Sequence, residues 1–402
     1  MPLVEALIPV TVDGVREDVA ASVGFVLTLQ GTGSGVIVSD DLLVTNAHVA
    51  WPGTTVSLVF LNGATHQGRV LAVDPFVDLA VIDISGLSRK PPPIALGSSS
   101  DIGVNDSLWV VGYPLPAEFT PEPTVDAGTV VGFSDWEFTG VRWFTVDAPA
   151  IGGQSGGAVV DEFGRLVGIS TFGSTDSLTS IGVDDVLARV DALLDAEEVR
   201  GLDPRTVPRS GGRRTLDVSL EGEWDQQLFL GWLPDSVEVT VAGSGVTLAA
   251  RTVGGEEIAS GSGLIEFTPG PVFPVIVAAD GSAVSAQLAA SLPLVSFDDP
   301  DHGKTLARLG MTAGVYDVGH DRDFFYLDLA AGETASVTIE SAARTHLWIY
   351  GPDGALIAED VDQSGFIRNN ASVDFTSNAA GRYIVALESS LSTISGYAVV
   401  TR

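Results

Sequence analysis

Four glycines surround one serine in Ile151-Gly152-Gly153-Gln154-Ser155-Gly156-Gly157-Ala158. Glycine adopts backbone angles that other residues resist, so a serine between glycines can sit on a tight turn with N–H groups directed at one point. This arrangement suits a serine nucleophile beside an oxyanion hole. Because glycine–serine turns are also common in β-proteins, catalysis further requires a base and an orienting acid elsewhere in the chain.

The composition around this stretch predicts a β-rich protein of two or three domains. The chain has 402 residues, of which 45% are hydrophobic and 46 are glycine. Its length exceeds that of one ordinary domain, and its apolar content is sufficient for packed cores. Frequent valine and threonine between glycine-rich turns favour strands, and we expect an all-β fold class.

The charge of the chain restricts its partners. The formal net charge is −32, and the only lysines are Lys90 and Lys304. Such a surface repels phosphate backbones, so we expect no nucleic-acid partner. It also fits either an ordinary soluble acidic surface or adaptation to high salt. There are no cysteines, which excludes disulfides and cysteine-ligated metals.

No part of the sequence predicts a membrane span or a leader. No apolar run approaches the roughly 20 residues that a spanning helix needs. The first residues, Met1 to Glu5, lack a basic stretch followed by a long apolar one, so we expect no signal peptide in this chain.

A second glycine-rich segment covers residues 31–39, with the sequence Gly-Thr-Gly-Ser-Gly-Val-Ile-Val-Ser. It resembles a phosphate-binding loop only superficially, because no Gly-Lys-Ser/Thr follows and the next residues predict a strand rather than a helix. We interpret it as a turn that leads into a β-branched strand.

His48 and Asp78 are the candidates for the base and the acid. His48 follows the strand-like residues 42–45, and Asp78 stands between apolar residues on both sides. An acid in such surroundings is expected to be partly buried and to need a partner. With Ser155 they follow the order His, Asp, Ser, which is one of the orders in which catalytic triads occur.

Beyond the serine the pattern changes from strands to one helix and then to a repeat. Apolar residues at helical spacing predict a helix over 183–199, and the polar segment 200–214 predicts a linker. Residues 225–230 parallel 323–328, and residues 237–241 parallel 335–339. We therefore expect two small β-sandwich domains, 215–297 and 298–402.

Three motifs together resemble the trypsin-like serine proteases of the HtrA/Deg type. They are Thr45-Asn46-Ala47-His48-Val49, Asp78-Leu79-Ala80-Val81-Ile82 and Gly153-Gln154-Ser155-Gly156-Gly157. The resemblance implies a protease domain over 1–199 with two six-stranded β-barrels and a C-terminal helix. It also implies a serine endopeptidase whose catalytic residues are His48, Asp78 and Ser155, acting on protein or peptide substrates.

The same resemblance assigns an oxyanion hole to the N–H groups of Gly153 and Ser155. The family often has Arg-Gly-Asn before the serine where this chain has Gly152-Gly153-Gln154, so we hypothesise a mobile loop that substrate or a partner orders. A specificity pocket is expected from residues that are mostly small or apolar, which predicts cleavage after small or medium aliphatic residues. These residues are Pro149, Ser170, Phe172, Ile181 and Val183.

Residues 321–402 resemble the bacterial pre-peptidase C-terminal (PPC) domain, and the first repeat resembles it less closely. The matching segments include residues 323–326, 350–354 and 380–383. This resemblance implies substrate or surface binding and a secreted or periplasmic protein. Acidic residues 298–301 and 321–323 are candidate calcium ligands, and we expect no other cofactor. The alternative function is a catalytically silent protease-fold scaffold or binding protein; the sequence does not predict the oligomeric state.

Overall fold

The computed structural model divides the chain into two compact units, residues 1–202 and 203–402. The residues that it describes are 11, 14–28, 31–115, 122–136, 139–196, 214–232, 237–252, 255–268, 272–291, 294–296, 303–341, 343–362, 369–389 and 394–402. Both units are built mostly of strands, which confirms the predicted all-β class.

The first unit begins with helical turns at Val15–Val19 and Ala20–Ser22, and then forms a closed six-stranded barrel. Its strands pair in the order β1-β2-β3-β6-β5-β4. One short helix, α1 (Ala47–Ala50), follows β3. The strands are Val23–Leu27 (β1), Thr32–Ile37 (β2), Leu42–Thr45 (β3), Thr55–Phe60 (β4), Thr65–Asp74 (β5) and Leu79–Asp83 (β6).

A second closed barrel follows in the order β10-β11-β12-β9-β8-β7. Its strands are Ser107–Gly112 (β7), Thr124–Trp136 (β8), Val141–Val146 (β9), Ala158–Val160 (β10), Leu166–Gly173 (β11) and Leu178–Gly182 (β12). The nucleophile loop, residues 151–157, connects β9 to β10. All three residues of β10 are buried, so the loop leads directly into the barrel core. The two six-stranded barrels confirm the expected trypsin-like architecture.

Helix α2 (Val183–Ala196) closes the first unit and begins at the predicted residue. Asp184 and Asp185 lie in its first turn, where the helix dipole favours acids. The last three residues of the predicted helix, and the predicted linker up to residue 213, lie outside the described residues. Arg214 already begins a strand.

The second unit contains two β-sandwiches, each made of one four-stranded and one five-stranded sheet. The sheets of the first have the orders β13-β20-β15-β18 and β17-β16-β19-β14-β21, and one apolar core joins them. Its strands are Arg214–Gly222 (β13), Gln226–Trp232 (β14), Val237–Ala242 (β15), Val246–Arg251 (β16), Glu257–Gly261 (β17), Leu264–Phe267 (β18), Val272–Ala279 (β19), Ser282–Ala290 (β20) and Leu294–Ser296 (β21).

The second sandwich repeats this topology. Its sheets have the orders β23-β30-β25-β28 and β22-β24-β29-β26-β27. Strands β23 to β30 occupy the same places in these sheets as β13 to β20 do in the first sandwich. Its strands are Lys304–Thr305 (β22), Gly310–Tyr316 (β23), Arg322–Leu329 (β24), Thr334–Ser341 (β25), Thr345–Tyr350 (β26), Leu356–Val361 (β27), Asn369–Thr376 (β28), Gly381–Ser389 (β29) and Ser395–Thr401 (β30).

The sandwiches differ at one sheet edge. The added strand β21 runs antiparallel to β14, whereas β22 runs parallel to β24. The resemblance of residues 321–402 to a PPC domain stays a prediction. Within the described part of the chain, no helix combines the length and the apolar character that crossing a membrane requires.

Candidate active site

His48 and Asp78 meet at one end of the first barrel. His48 lies on helix α1, and Asp78 lies in the turn between β5 and β6. The Nδ1 atom of His48 is 2.7 Å from Oδ2 of Asp78, and the backbone N–H of His48 donates to Oδ1 at 2.9 Å. One carboxylate therefore holds both the ring and the backbone of the histidine.

The residue before the helix secures the turn that carries the acid. Asn46 is fully buried, and its Nδ2 donates to the carbonyl of Asp78 at 2.9 Å. Asp78 itself has a φ of +53°, a left-handed conformation that aspartate tolerates better than most residues. Asn46 and His48 thus bind Asp78 from two sides and fix the direction of its carboxylate.

The electrostatics of this pair favour a charged histidine. Burial of the ring lowers the pKa of His48, but the charge of Asp78 and the hydrogen bond between them outweigh it, so the pKa is raised. The side chain of His48 keeps 31% of its surface exposed, against 13% for Asp78. The imidazole can therefore reach substrate, while the acid is mostly shielded from water.

Ser155 lies on a loop that touches the first barrel directly. Its carbonyl accepts the backbone N–H of Ser34, on β2, at 2.7 Å. Its hydroxyl is 3.3 Å from the carbonyl of Thr171, a long hydrogen bond. Gly33 lies between the two segments. A Cβ built on Gly33 would be 2.6 Å from Cγ1 of Val49, the residue after His48, and 3.2 Å from the carbonyl oxygen of Ser155. These contacts bring the serine loop against the histidine helix.

Gly156 makes the closest approach in this interface. A Cβ there would lie 2.1 Å from the carbonyl oxygen of Ser34 and 2.4 Å from Oγ1 of Thr45, and its φ is +83°. Both the space and the backbone angle therefore require glycine.

Two carbonyls of the loop are held by donors outside it. The carbonyl of Gly152 accepts from the N–H of Leu115 at 2.6 Å, and that of Gln154 accepts from Oγ of Ser170 at 2.6 Å. In a trans peptide the next N–H points opposite to the carbonyl. The N–H groups of Gly153 and Ser155 are thereby oriented, and neither donates to another group of the described residues.

The side chain of Gln154 also supports the loop. It is 1% exposed, and its Oε1 accepts the N–H of Ile151 at 2.9 Å. Its Nε2 donates to Thr124 and to Asp126 on β8, both at 2.9 Å. The structure thus shows the loop anchored at several points; the hypothesis of a loop that substrate must order stays a prediction.

The five expected pocket residues occupy different environments. Ser170 is fully buried. Its hydroxyl donates to the carbonyl of Gln154 and accepts the N–H of Gly157. Phe172 is half-buried and lies 5.3 Å from the ring of Trp143, while Ile181 and Val183 are completely buried. Thr171 accompanies Ser170 and Phe172 on β11, which therefore passes beside Ser155.

Pro149, the remaining expected pocket residue, is half-buried at the start of the loop. The next residue, Ala150, donates its N–H to the carbonyl of Ser174 at 2.9 Å. Its methyl group would also lie 2.7 Å from a Cβ at Gly173. The two chain segments that flank Ser155 are therefore in direct contact at this point.

Sequence reasoning missed several residues that build this site. The sequence assigns no role to Ser34, which lies in the glycine-rich segment 31–39, and names Thr45 and Asn46 only as members of the motif that contains His48. The sequence pattern that could have indicated them is a small polar residue beside glycines, immediately before or within a buried strand, as in Gly33-Ser34-Gly35. Only their contacts across the barrels show what they support.

No metal site emerges among the described residues, where no three acidic or histidine side chains converge on a point suitable for an ion. Of the expected calcium ligands, Asp323 accepts the hydroxyl of Tyr397 at 2.6 Å and Asp321 accepts the N–H of Asp317 at 2.8 Å. Residues 298–301 lie outside the described residues, and calcium binding stays a prediction.

Comparisons with known proteins cover the part of the chain that contains this site. A family model described as a trypsin-like peptidase domain matches residues 33–169. The serine protease HtrA-like of Staphylococcus epidermidis is 33% identical over 151 residues, which cover 34% of this chain and 26% of the relative. Its counterpart in Staphylococcus aureus is 34% identical over 151 residues, covering 34% of this chain and 19% of the relative. The match thus spans well under half of either relative.

Two solved structures are similar to part of this chain. The HtrA-type protease AlgW with tripeptide is 24% identical and covers 52% of this chain and 69% of its own, with a TM-score of 0.43. Deg5 is 28% identical and covers 45% of this chain and 92% of its own, with a TM-score of 0.39. The segment that carries His48, Asp78 and Ser155 is therefore similar to trypsin-like peptidase domains, and the named relatives are HtrA-like serine proteases.

Proposed function

We propose that the protein is a serine endopeptidase that hydrolyses peptide bonds through an acyl-enzyme. The observation that carries the proposal is the pairing of His48 with Asp78 through both carboxylate oxygens. It supplies the oriented base that the glycine-bounded Ser155 requires. The similarity of residues 33–169 to a peptidase family supports the same function.

Each member of the site has a defined task in this reaction. Asp78 holds the proton of His48 on Nδ1, which leaves Nε2 as the basic nitrogen. His48 accepts the proton of Ser155 as its oxygen attacks the peptide carbonyl, and then delivers that proton to the leaving amine. Asp78 stabilises the imidazolium that exists between these two transfers. Water then repeats the sequence and releases the acyl group.

The negative oxygen of the tetrahedral intermediate would be bound by the N–H groups of Gly153 and Ser155. Each of these N–H groups shares a peptide plane with the carbonyl of the preceding residue. The hydrogen bonds that hold the carbonyls of Gly152 and Gln154 therefore set the orientation of the two N–H groups. Donors that are already oriented need no reorganisation when charge develops, and one such donor contributes roughly 10²–10³ to the rate.

We further propose that cleavage follows small or medium aliphatic residues. The segments on either side of Ser155 carry apolar or small side chains. Ala150 contacts the Gly173–Ser174 segment, and in this proposal that contact narrows the pocket. A trypsin-like site that binds arginine or lysine would have an acid six residues before the serine, where this chain has Pro149.

Protein substrates and an exported location are part of the proposal, because the named relatives are proteases and because residues 321–402 resemble a domain of secreted hydrolases. The two sandwiches would bind substrate or a surface, or regulate the protease. The competing function is a protease-fold scaffold that has lost turnover, with the same folded barrels and no hydrolysis.

Hydrolysis of denatured casein separates these two functions. We expect the parent protein to release peptides and Ser155→Ala to release none. Ser22→Ala is the matched control that should keep activity, because Ser22 is a buried serine of the same unit whose hydroxyl donates to the carbonyl of Pro92. Equal hydrolysis by Ser155→Ala would refute the assignment of the nucleophile. A parent protein that is folded and inactive at every salt concentration would favour the scaffold.

A further inference from the structure

Ser34 is a buried serine of the first barrel with hydrogen bonds to Thr45, to Tyr113 and to the nucleophile loop. It is completely buried on β2. Its N–H donates to the carbonyl of Ser155 at 2.7 Å, and its own carbonyl accepts the hydroxyl of Thr45 at 2.6 Å. Thr45 stands three residues before His48. The backbone of Ser34 therefore joins the strand of the base to the loop of the nucleophile.

The hydroxyl of Ser34 makes a separate connection. It accepts the backbone N–H of Tyr113 at 2.8 Å and donates to the carbonyl of Gly153 at 2.8 Å. It thus bridges the segment after β7 to the nucleophile loop, both in the second barrel. A hydroxyl is suited to this position because one oxygen both accepts and donates.

The hydrogen bond from the Ser34 hydroxyl secures the Gly153–Gln154 peptide group, which adjoins the peptide group that carries the N–H of Gly153. Two residues after Tyr113, the N–H of Leu115 holds the carbonyl of Gly152 at 2.6 Å. The Gly152–Gly153 peptide is therefore fixed from one side by Leu115, while the next carbonyl is fixed by Ser34. Because Gly153 has a φ of +92° and no side chain, its own backbone offers little resistance to rotation.

We propose that the Ser34 hydroxyl is a positioning group for the oxyanion hole, which couples the first barrel to the orientation of the Gly153 N–H. This inference rests on the proposed peptidase function and deepens it. Without the hydroxyl, a buried N–H at Tyr113 and a buried carbonyl at Gly153 both lose their partner. The loop then relieves this loss by rotating, and the donor at Gly153 turns away from the oxyanion.

The test compares Ser34→Ala and the shape-matched Ser34→Cys with the control Ser22→Ala. Ser22 is also buried, in the same unit, but its hydroxyl donates to the carbonyl of Pro92 at 2.8 Å. For each folded variant, kcat and KM are measured with a fluorogenic peptide taken from the cleavage profile of the parent protein. The rate at which a fluorophosphonate labels Ser155 is measured in parallel, because its phosphoryl oxygen also occupies the oxyanion hole.

We expect both Ser34 variants to lose roughly 10- to 100-fold in kcat, less than the complete removal of one oxyanion donor. KM should change by no more than about twofold, because the interaction acts in the transition state. Labelling should slow in parallel with kcat, and hydrogen exchange at residues 151–157 should accelerate. Ser22→Ala should match the parent protein in kcat and labelling.

Two results would overturn this inference and leave the proposed function intact. In the first, Ser34→Ala and Ser34→Cys turn over substrate like the parent protein. In the second, the two variants lose kcat/KM entirely through a raised KM. A Ser34→Ala variant that does not fold leaves Ser34→Cys to decide. A parent protein that neither cleaves peptides nor reacts with the fluorophosphonate would instead refute the proposed function, and the inference with it.

Discussion

The backbone N–H of Ser34 donates to the carbonyl of Ser155 at 2.7 Å, across the boundary between the two barrels. The same strand continues through a hairpin to Thr45 and His48, and Thr45 binds the carbonyl of Ser34. The base and the nucleophile therefore share a hydrogen-bonded support. A change in the packing of either barrel is expected to reach both residues.

The pH dependence of hydrolysis should reflect the raised pKa of His48. Burial lowers this pKa, but the charge and the hydrogen bond of Asp78 together raise it by a larger amount. The pKa of His48 therefore lies above the ordinary value of 6.5. Only neutral His48 can accept the serine proton, so kcat/KM should rise with pH and reach its half-maximal value above pH 6.5. A profile of kcat/KM against pH measures this limb directly.

Asp78→Asn should lower kcat by roughly 10⁴, because the amide favours the wrong tautomer of His48. It should also move the midpoint of the acidic limb to lower pH, because the stabilising charge is removed. Asp83→Asn is the control, since Asp83 lies on β6 of the same barrel and binds Ser85 instead. An unchanged midpoint in Asp78→Asn would contradict the account of the pKa.

Gly156→Ala should abolish activity and destabilise the first unit by about 2 kcal/mol or more. Its added methyl group meets the Ser34 carbonyl and Thr45 in addition to the cost of the positive φ. Gly63→Ala is a matched control, with a φ of +75° and no atom within 4 Å of the new Cβ. It should cost only about 1 kcal/mol and leave activity intact. Urea unfolding and peptide hydrolysis check both variants.

Cleavage of a denatured proteome should place small or medium aliphatic residues immediately before the cut bond. Mass spectrometry of the new termini gives this profile. The proposed reason is that the contact between Ala150 and the Gly173–Ser174 segment narrows the pocket. Efficient cleavage after arginine or lysine would show that the pocket residues have been assigned wrongly.

The second sandwich should depend on the pair formed by Arg322 and Glu388. Burial raises the pKa of Glu388, but hydrogen bonds and charges from His320 and Arg322 outweigh it and lower the pKa. A lowered pKa stabilises the fold above the ordinary pKa of the carboxyl group and loses this effect as pH falls through the folded value. Arg322→Leu should therefore cost about 1–3 kcal/mol at pH 7, and this cost should shrink as pH falls through the folded pKa of Glu388.

Arg382→Leu provides the control for that prediction. Arg382 binds Asp328 from the adjacent strand, but both side chains are more than half exposed. Solvent screens such a pair, so its removal should cost much less. Denaturation curves at pH 7 and at a pH below the folded pKa of Glu388 distinguish the two variants. Equal losses at both pH values would mean that Arg322 acts through packing on Trp348 rather than through Glu388.

Local patterns in the sequence predicted much of this fold. Alternating apolar residues and glycine-rich turns indicated strands, and helical spacing placed the start of α2 at Val183. The repeated segments in the second half predicted two sandwiches, which the matching strand orders bear out. These features depend on neighbours in the chain, and therefore each leaves a local signature.

The supports of the candidate site left no such signature. Gln154 binds Asp126 and Ser34 binds Gly153 and Tyr113, contacts between residues far apart in the chain. Their formation requires both barrels to be closed and packed together. The left-handed conformation of Asp78 likewise follows from its contacts with Asn46 and His48, not from its immediate neighbours in sequence.

The most direct test of the central claim is covalent labelling of the purified chain with a fluorophosphonate, followed by mass spectrometry of the modified peptide. We predict a single adduct on Ser155, formed at least about 10³-fold more slowly by His48→Ala than by the parent protein. An adduct on another residue, or labelling of Ser155 at an equal rate in His48→Ala, would contradict the assignment of a serine nucleophile activated by His48.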